Sequence, residues 1–171
     1  LSRPLFLKGD LFMCGRSIAV VSHCVLNQNV VVHGLERAVG AFPFVKDIPG
    51  KIGLVQLPCP EFLLLGPDRP SMTYKDYLEI NNYQQKCTQL LAPTILELKG
   101  YQKAGVRIIG LIGIAQSPNC GITGQRGVFM TEFLQLCQEN NIRMPYIEVP
   151  IDYPDDRQFG KKVSLFLKGD H

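Results

Sequence analysis

Apolar residues along the chain gather in short dense blocks separated by longer mixed segments. Ser17 to Val21, Ile52 to Leu57, Val106 to Gly113 and Met144 to Val149 are blocks of this kind. They lack clean alternation, the pattern of strands buried on both faces of a parallel sheet. Between them, apolar positions recur at helical spacing. Val30 to Ala41 predicts a helix, weakened by its opening valines and by Gly34 and Gly40. Thr73 to Lys86 predicts another, capped at Ser71 or Thr73, with Tyr74, Tyr77 and Leu78 on one face. Pro93 predicts a break near Leu91 and a second helix from Thr94 to Ala104, and Gly127 or Val128 to Asn140 predicts the next. Strands alternating with helices specify an α/β fold: a three-layer, open, mostly parallel sheet with helices on both faces, Rossmann-like or flavodoxin-like. The sequence Leu-Phe-Leu-Lys-Gly-Asp occurs at residues 5–10 and again at 165–170, as two edge elements or as a reflection of where the chain ends.

Length and composition narrow the class. At 171 residues, with 46% hydrophobic and 19% charged positions, the chain is expected to form a single globular domain over residues 1–171. A net charge of +3, with scattered Lys and Arg, argues against nucleic acid, and Lys161, Lys162 and Lys168 read as a solvated basic face. No apolar run approaches the roughly 20 residues that cross a bilayer, and the first residues lack a secretory pattern. The expectation is therefore a cytoplasmic protein without a membrane partner; its oligomeric state is left open.

The six cysteines divide by position. Cys87 and Cys137 fall inside predicted helices and read as small core residues, and Cys14 precedes its strand, at the opposite edge of the sheet. Cys24, Cys59 and Cys120 each follow a strand closely. Binding sites of open parallel sheets form beyond the carboxyl ends of the strands, so these three are expected to converge on one crevice. Three thiolates suit a soft metal. On the residues alone three readings stay open: a Cys3His zinc site completed by His23 or His33, a 4Fe-4S cluster with one iron free of cysteine, and three idle thiols. His23 could orient a cysteine or a ligand. Asn27, Asn29 and Asn119 offer amides to the polar edge of a heterocycle.

Three pieces, Ser22 to Val30, Pro58-Cys59-Pro60-Glu61 and Ser117-Pro118-Asn119-Cys120-Gly121, resemble in order the motifs of the iron-sulfur-dependent thiouracil desulfurases and their smaller desulfidase relatives. That resemblance implies a 4Fe-4S cofactor held by Cys24, Cys59 and Cys120. It implies a desulfidase that removes sulfide from a small thiolated heterocycle by non-redox hydrolysis, the open iron acting as Lewis acid. Glu61 and Ser117 would serve catalysis, and His23, Asn27 and Asn119 would contact substrate. Against the compact members, residues 71–105 read as a helical insertion. A non-catalytic iron-sulfur or zinc module is the alternative expectation.

Overall fold

The computed structural model describes residues 15–169. The expectations for residues 5–14, Cys14 among them, lie outside the described residues. Four strands, β1 (Ser17–Val21), β2 (Ile52–Gln56), β3 (Arg107–Ile114) and β4 (Tyr146–Val149), form one sheet in the order β2-β1-β3-β4, every neighbouring pair parallel. The helices are α1 (His23–Leu26), α2 (Pro60–Leu65), α3 (Tyr74–Glu79), α4 (Tyr83–Lys103), α5 (Val128–Glu139) and α6 (Phe159–Lys168), with short 3-10 turns at Gln28–Val30 and Pro43–Asp47.

Side-chain alternation along the strands divides the interior into two cores. Ile18 and Val20 of β1 and Leu111 of β3 face one way, onto Tyr83, Cys87, Leu91 and Leu98 of α4 and Phe129 and Phe133 of α5. Ala19, Val21, Ile112 and Ile114 face the other way, onto Phe42, Phe44, Tyr153, and Phe159 and Val163 of α6. The fold is α/β, a parallel sheet flanked by helices in a Rossmann-like or flavodoxin-like architecture. Among the described residues no helix is long and apolar enough to cross a membrane.

Two helix boundaries differ from expectation. Residues 31–41 contain no helix. Gly34 and Gly40 sit at φ 86° and 73°, in left-handed backbone that interrupts a helix, and Gln28 Oε1 accepts the hydrogen bond of Arg37 N that a helix would have directed to a carbonyl four residues back. Pro93, by contrast, lies inside a continuous α4. The burial of Cys87, Leu91, Ile95 and Leu98 along one face outweighs the hydrogen bond that proline removes. The break falls earlier, between α3 and α4, where Asn82 adopts φ 58°. Residues 165–168 of the second copy of the repeated hexapeptide lie in α6, which Gly169 caps in left-handed conformation.

Candidate functional site

The chain leaves β1 toward β2 on one side, while β3 lies on β1's other side. That reversal opens a crevice beyond the carboxyl ends of β1 and β3, the position where open α/β sheets bind ligands. A cavity of about 270 Å³ occupies it. Its apolar walls come from Val30, Val31, Val32, Leu35, Met72 and Ile114, and its polar groups from His23, Arg37, Glu61, Ser117 and the thiols of Cys24, Cys59 and Cys120.

Each thiol is delivered by a sharp change of direction. Cys24 lies on the single turn α1, directly after β1, where its carbonyl accepts from Gln28 Nε2 at 2.6 Å. Leu57, fully buried, ties the end of β2 to Val21 O, and Cys59 then caps α2 with Pro60 in the first helical turn. After β3 the chain folds back on itself: Cys120 N donates to Ser117 Oγ at 3.0 Å and Gly121 N to Ser117 O at 3.0 Å. The carbonyls of Pro118 and Asn119 accept from Val128 N and Met130 N, satisfying donors that the first turn of α5 would otherwise leave orphaned. This docking requires glycine at 127, where a Cβ would stand 2.3 Å from the Asn119 carbonyl carbon.

Burial dominates the chemistry of the thiols. It pushes Cys24 up to about 12, with the neighbouring Cys59 adding to the effect. Cys120 is raised well above its ordinary value by burial and then by Cys24 and Cys59, and Cys59 is raised by burial although the Phe62 N–H partly offsets this. All three are neutral thiols near pH 7. The hydroxyl of Ser22, itself buried without an ordinary hydrogen-bond partner among the described residues, acts on Cys120 in the opposite direction.

The groups around them are engaged. Glu61 accepts from Arg69 Nε at 3.3 Å and from Asn119 Nδ2 at 3.0 Å. Asn119 is fully buried and accepts from Tyr83 Oη at 3.1 Å, so one chain of bonds runs from α4 through the β3 loop to α2. Arg69 completes its set on Val30 O at 2.5 Å and Gly66 O at 3.0 Å. His23 Nδ1 faces Leu57 O at 3.0 Å; a carbonyl can only accept, so Nδ1 is the donor of that bond.

The predicted site residues therefore separate. Cys24, Cys59, Cys120, Glu61, Ser117 and His23 line the cavity. Asn119 stands behind its wall, holding Glu61, and Asn27 turns away to accept from Asn29 N and Nδ2 at 3.1 and 2.8 Å. Sequence reasoning missed Gln28 and Arg37, whose stretch it assigned in part to a helix. The signal was Gln28 itself, a polar residue set between the apolar runs around Val25 and Val30.

The iron-sulfur expectation needs correction. Among the described residues no group of three or more His, Cys, Asp and Glu is arranged to hold a metal ion. Cys24, Cys59 and Cys120 share a cavity wall but do not form a ligand set for a 4Fe-4S cluster or for zinc. Glu61 is tied to Arg69 and Asn119, and His23 is tied to Leu57, so neither is placed as a further ligand. With the cluster go the desulfidase activity, the hydrolytic or lyase chemistry and the alternative of a non-catalytic iron-sulfur or zinc module.

The comparisons with known proteins point the same way. No protein-family model matches the chain, so membership of the thiouracil desulfurases is not upheld. No solved structure matches it either. Uncharacterized protein MJ0003 of Methanocaldococcus jannaschii is 42% identical over 158 residues, an alignment that spans 91% of this chain and 100% of the relative. At that identity and coverage, the chain belongs to the family of MJ0003.

Proposed function

We propose that the protein is a cytoplasmic binding domain for a small organic anion with an apolar body, held in the cavity at the carboxyl edge of the sheet. The observation that carries this reading is Arg37. Its guanidinium is half-buried in the cavity wall, where Nη1 donates to Pro150 O at 2.7 Å and to Ile151 O at 3.3 Å and the group lies 5.1 Å from the centre of the Phe42 ring. Among the described residues no carboxylate pairs with it, and burial lowers its pKa. A cation fixed by carbonyls and desolvated without a counter-charge favours an anion from outside. Arg69 does not compete, because Glu61 neutralises it.

The remaining groups suit the body of such a ligand. Neutral thiols and the valine, leucine and methionine side chains present a soft apolar surface. His23 adds a ring whose Nδ1 is already committed to Leu57 O. Ser117 Oγ, already accepting from Asn119 N and Cys120 N, keeps its own proton for donation. About 270 Å³ is at the small end of ligand sites. The free cysteines at 24, 59, 87, 120 and 137 fit a reducing compartment.

Titration of the protein with benzoate, followed by backbone amide NMR, tests the reading. Shifts are expected at Cys24, Val31, Leu35, Arg37, Ser117 and Cys120, with the affinity lost in Arg37→Gln. Equal binding by that variant, or no shifts around the cavity, would overturn it.

A further inference from the structure

A second, more open depression of about 570 Å³ adjoins the cavity, with Met72, Ser117 and Pro118 in the walls of both. The chemistry changes across that ridge. The cavity is apolar with an unpaired cation, whereas the trough combines Met72 and Pro118 with neutral polar groups and has no charged residue in its wall. Tyr74 supplies a ring, and Gln116 and Gln125 supply side-chain amides that make no hydrogen bond among the described residues. The two threonine hydroxyls nearby are already committed, Thr73 to Asp76 and Thr123 to Glu148.

Gln116 is the unusual member. It is the third residue of a tight turn closed by Ser117 N on Ile114 O at 3.2 Å, and it sits at φ 59°. Glycine or asparagine fits that left-handed position with less steric penalty. Here a long amide occupies it, in the wall of the trough and next in sequence to the shared Ser117. An observed backbone outlier beside a pocket is a reason to look for a ligand-facing role.

From the shared wall, the change in chemistry and the strained Gln116, we infer that the ligand is elongated. Its anionic, apolar head fills the cavity, and a neutral tail bearing hydroxyl or amide groups crosses the Ser117–Pro118 ridge into the trough. This rests on the cavity reading above. Amide side chains both donate and accept, as a polyhydroxylated tail requires, and the Tyr74 ring can pack against such a tail's carbon face.

Three probes separate the two claims on the full chain: benzoate, and benzoate carrying a β-D-glucosyloxy group at its 3 or its 4 position. Two new neutral hydrogen bonds are expected to make one of the glucosides bind roughly tenfold more tightly than benzoate. Gln116→Gly and Gln125→Ala are each expected to cut that gain to about threefold, and Gln116→Gly to leave the benzoate affinity unchanged. Glycine suits the backbone at 116, so a purely structural role predicts equal or greater stability and no effect on any probe. Equal binding of all three probes, or an undiminished gain in Gln116→Gly, would overturn the elongated ligand while the cavity reading stands. Failure of all three to bind would remove both.

Discussion

Replacing Glu61 by alanine tests whether the walls of the cavity are held together by charge. The Arg69 side chain is only 2% exposed and that of Glu61 18%. Removing the carboxylate leaves a desolvated guanidinium with two carbonyl partners, Val30 O and Gly66 O, and deprives Asn119 Nδ2 of its acceptor. Breaking a buried pair from one side costs about 3–5 kcal/mol. The two retained carbonyl bonds place E61A at the lower end, about 3 kcal/mol. In a chain of this length each kcal/mol moves the melting temperature by about 2–4 °C, so a drop of roughly 6–12 °C is expected. With a urea dependence of about 2 kcal/mol per molar, the unfolding midpoint would fall by about 1.5 M. The double variant E61A/R69M is expected to be more stable than E61A, because no guanidinium remains buried without its counter-charge. Urea unfolding of the parent and the variants measures all of this. E61A within about 1 kcal/mol of the parent, or a double variant no better than E61A, would refute the account of Arg69 as a charge held by Glu61.

Two further predictions concern the core and the loop. Burial, reinforced by the Glu132 carboxylate, pushes the Cys87 thiol up to about 12, while an unfolded cysteine titrates near about 8.5. The folded state keeps a proton that the unfolded chain releases, so this contribution is complete below about pH 8.5 and is lost as pH rises toward about 12. Cys137, also pushed up to about 12, acts in the same sense. Urea midpoints at pH 8 and pH 10 are expected to differ less in Cys87→Ala than in the parent; an unchanged difference would contradict the shift. Gly127→Ala would drive a Cβ into the Asn119 carbonyl and is expected to cost about 3 kcal/mol, with amide shifts spreading through residues 117–121. A neutral outcome in thermal unfolding would show that the loop and α5 are less tightly docked than described.

The strands were legible because their signal is local. Val-, Ile- and Leu-rich blocks at 17–21 and 52–57 read as strands buried on both faces, and the observed strands end within a residue of that reading. Residues 31–41 were only partly legible: Gly34 and Gly40 weakened the helix in the sequence, but the Gln28 side chain that fixes the path of the segment lies outside it. Pro93 misled for the complementary reason: the rule against proline inside helices is local, and packing against β1 and β3 overrides it. At the site, the strand ends say which edge of the sheet Cys24, Cys59 and Cys120 occupy. They do not say how the donors are disposed or protonated, and it is there that the motif resemblance failed. The pairing of Glu61 with Arg69 joins residues eight apart through a loop whose path no periodicity encodes.

Gln28 gives the wall formed by residues 31–41 an unusual kind of rigidity. Its backbone N–H donates to Gly40 O at 2.6 Å, its Oε1 accepts from Arg37 N at 2.9 Å and its Nε2 reaches Cys24 O at 2.6 Å. One buried residue thus clasps both ends of a segment that has no regular secondary structure. A helix distributes its order over many interchangeable bonds, and fraying at one end leaves the rest in place. A clasp has less redundancy: the protection of the Arg37 amide against hydrogen exchange depends on one carboxamide oxygen, while Pro150 O and Ile151 O hold its guanidinium. A change from amide to acid at position 28 would keep the acceptor for Arg37 N and remove the donor to Cys24 O, so it would loosen the clasp from the α1 side alone.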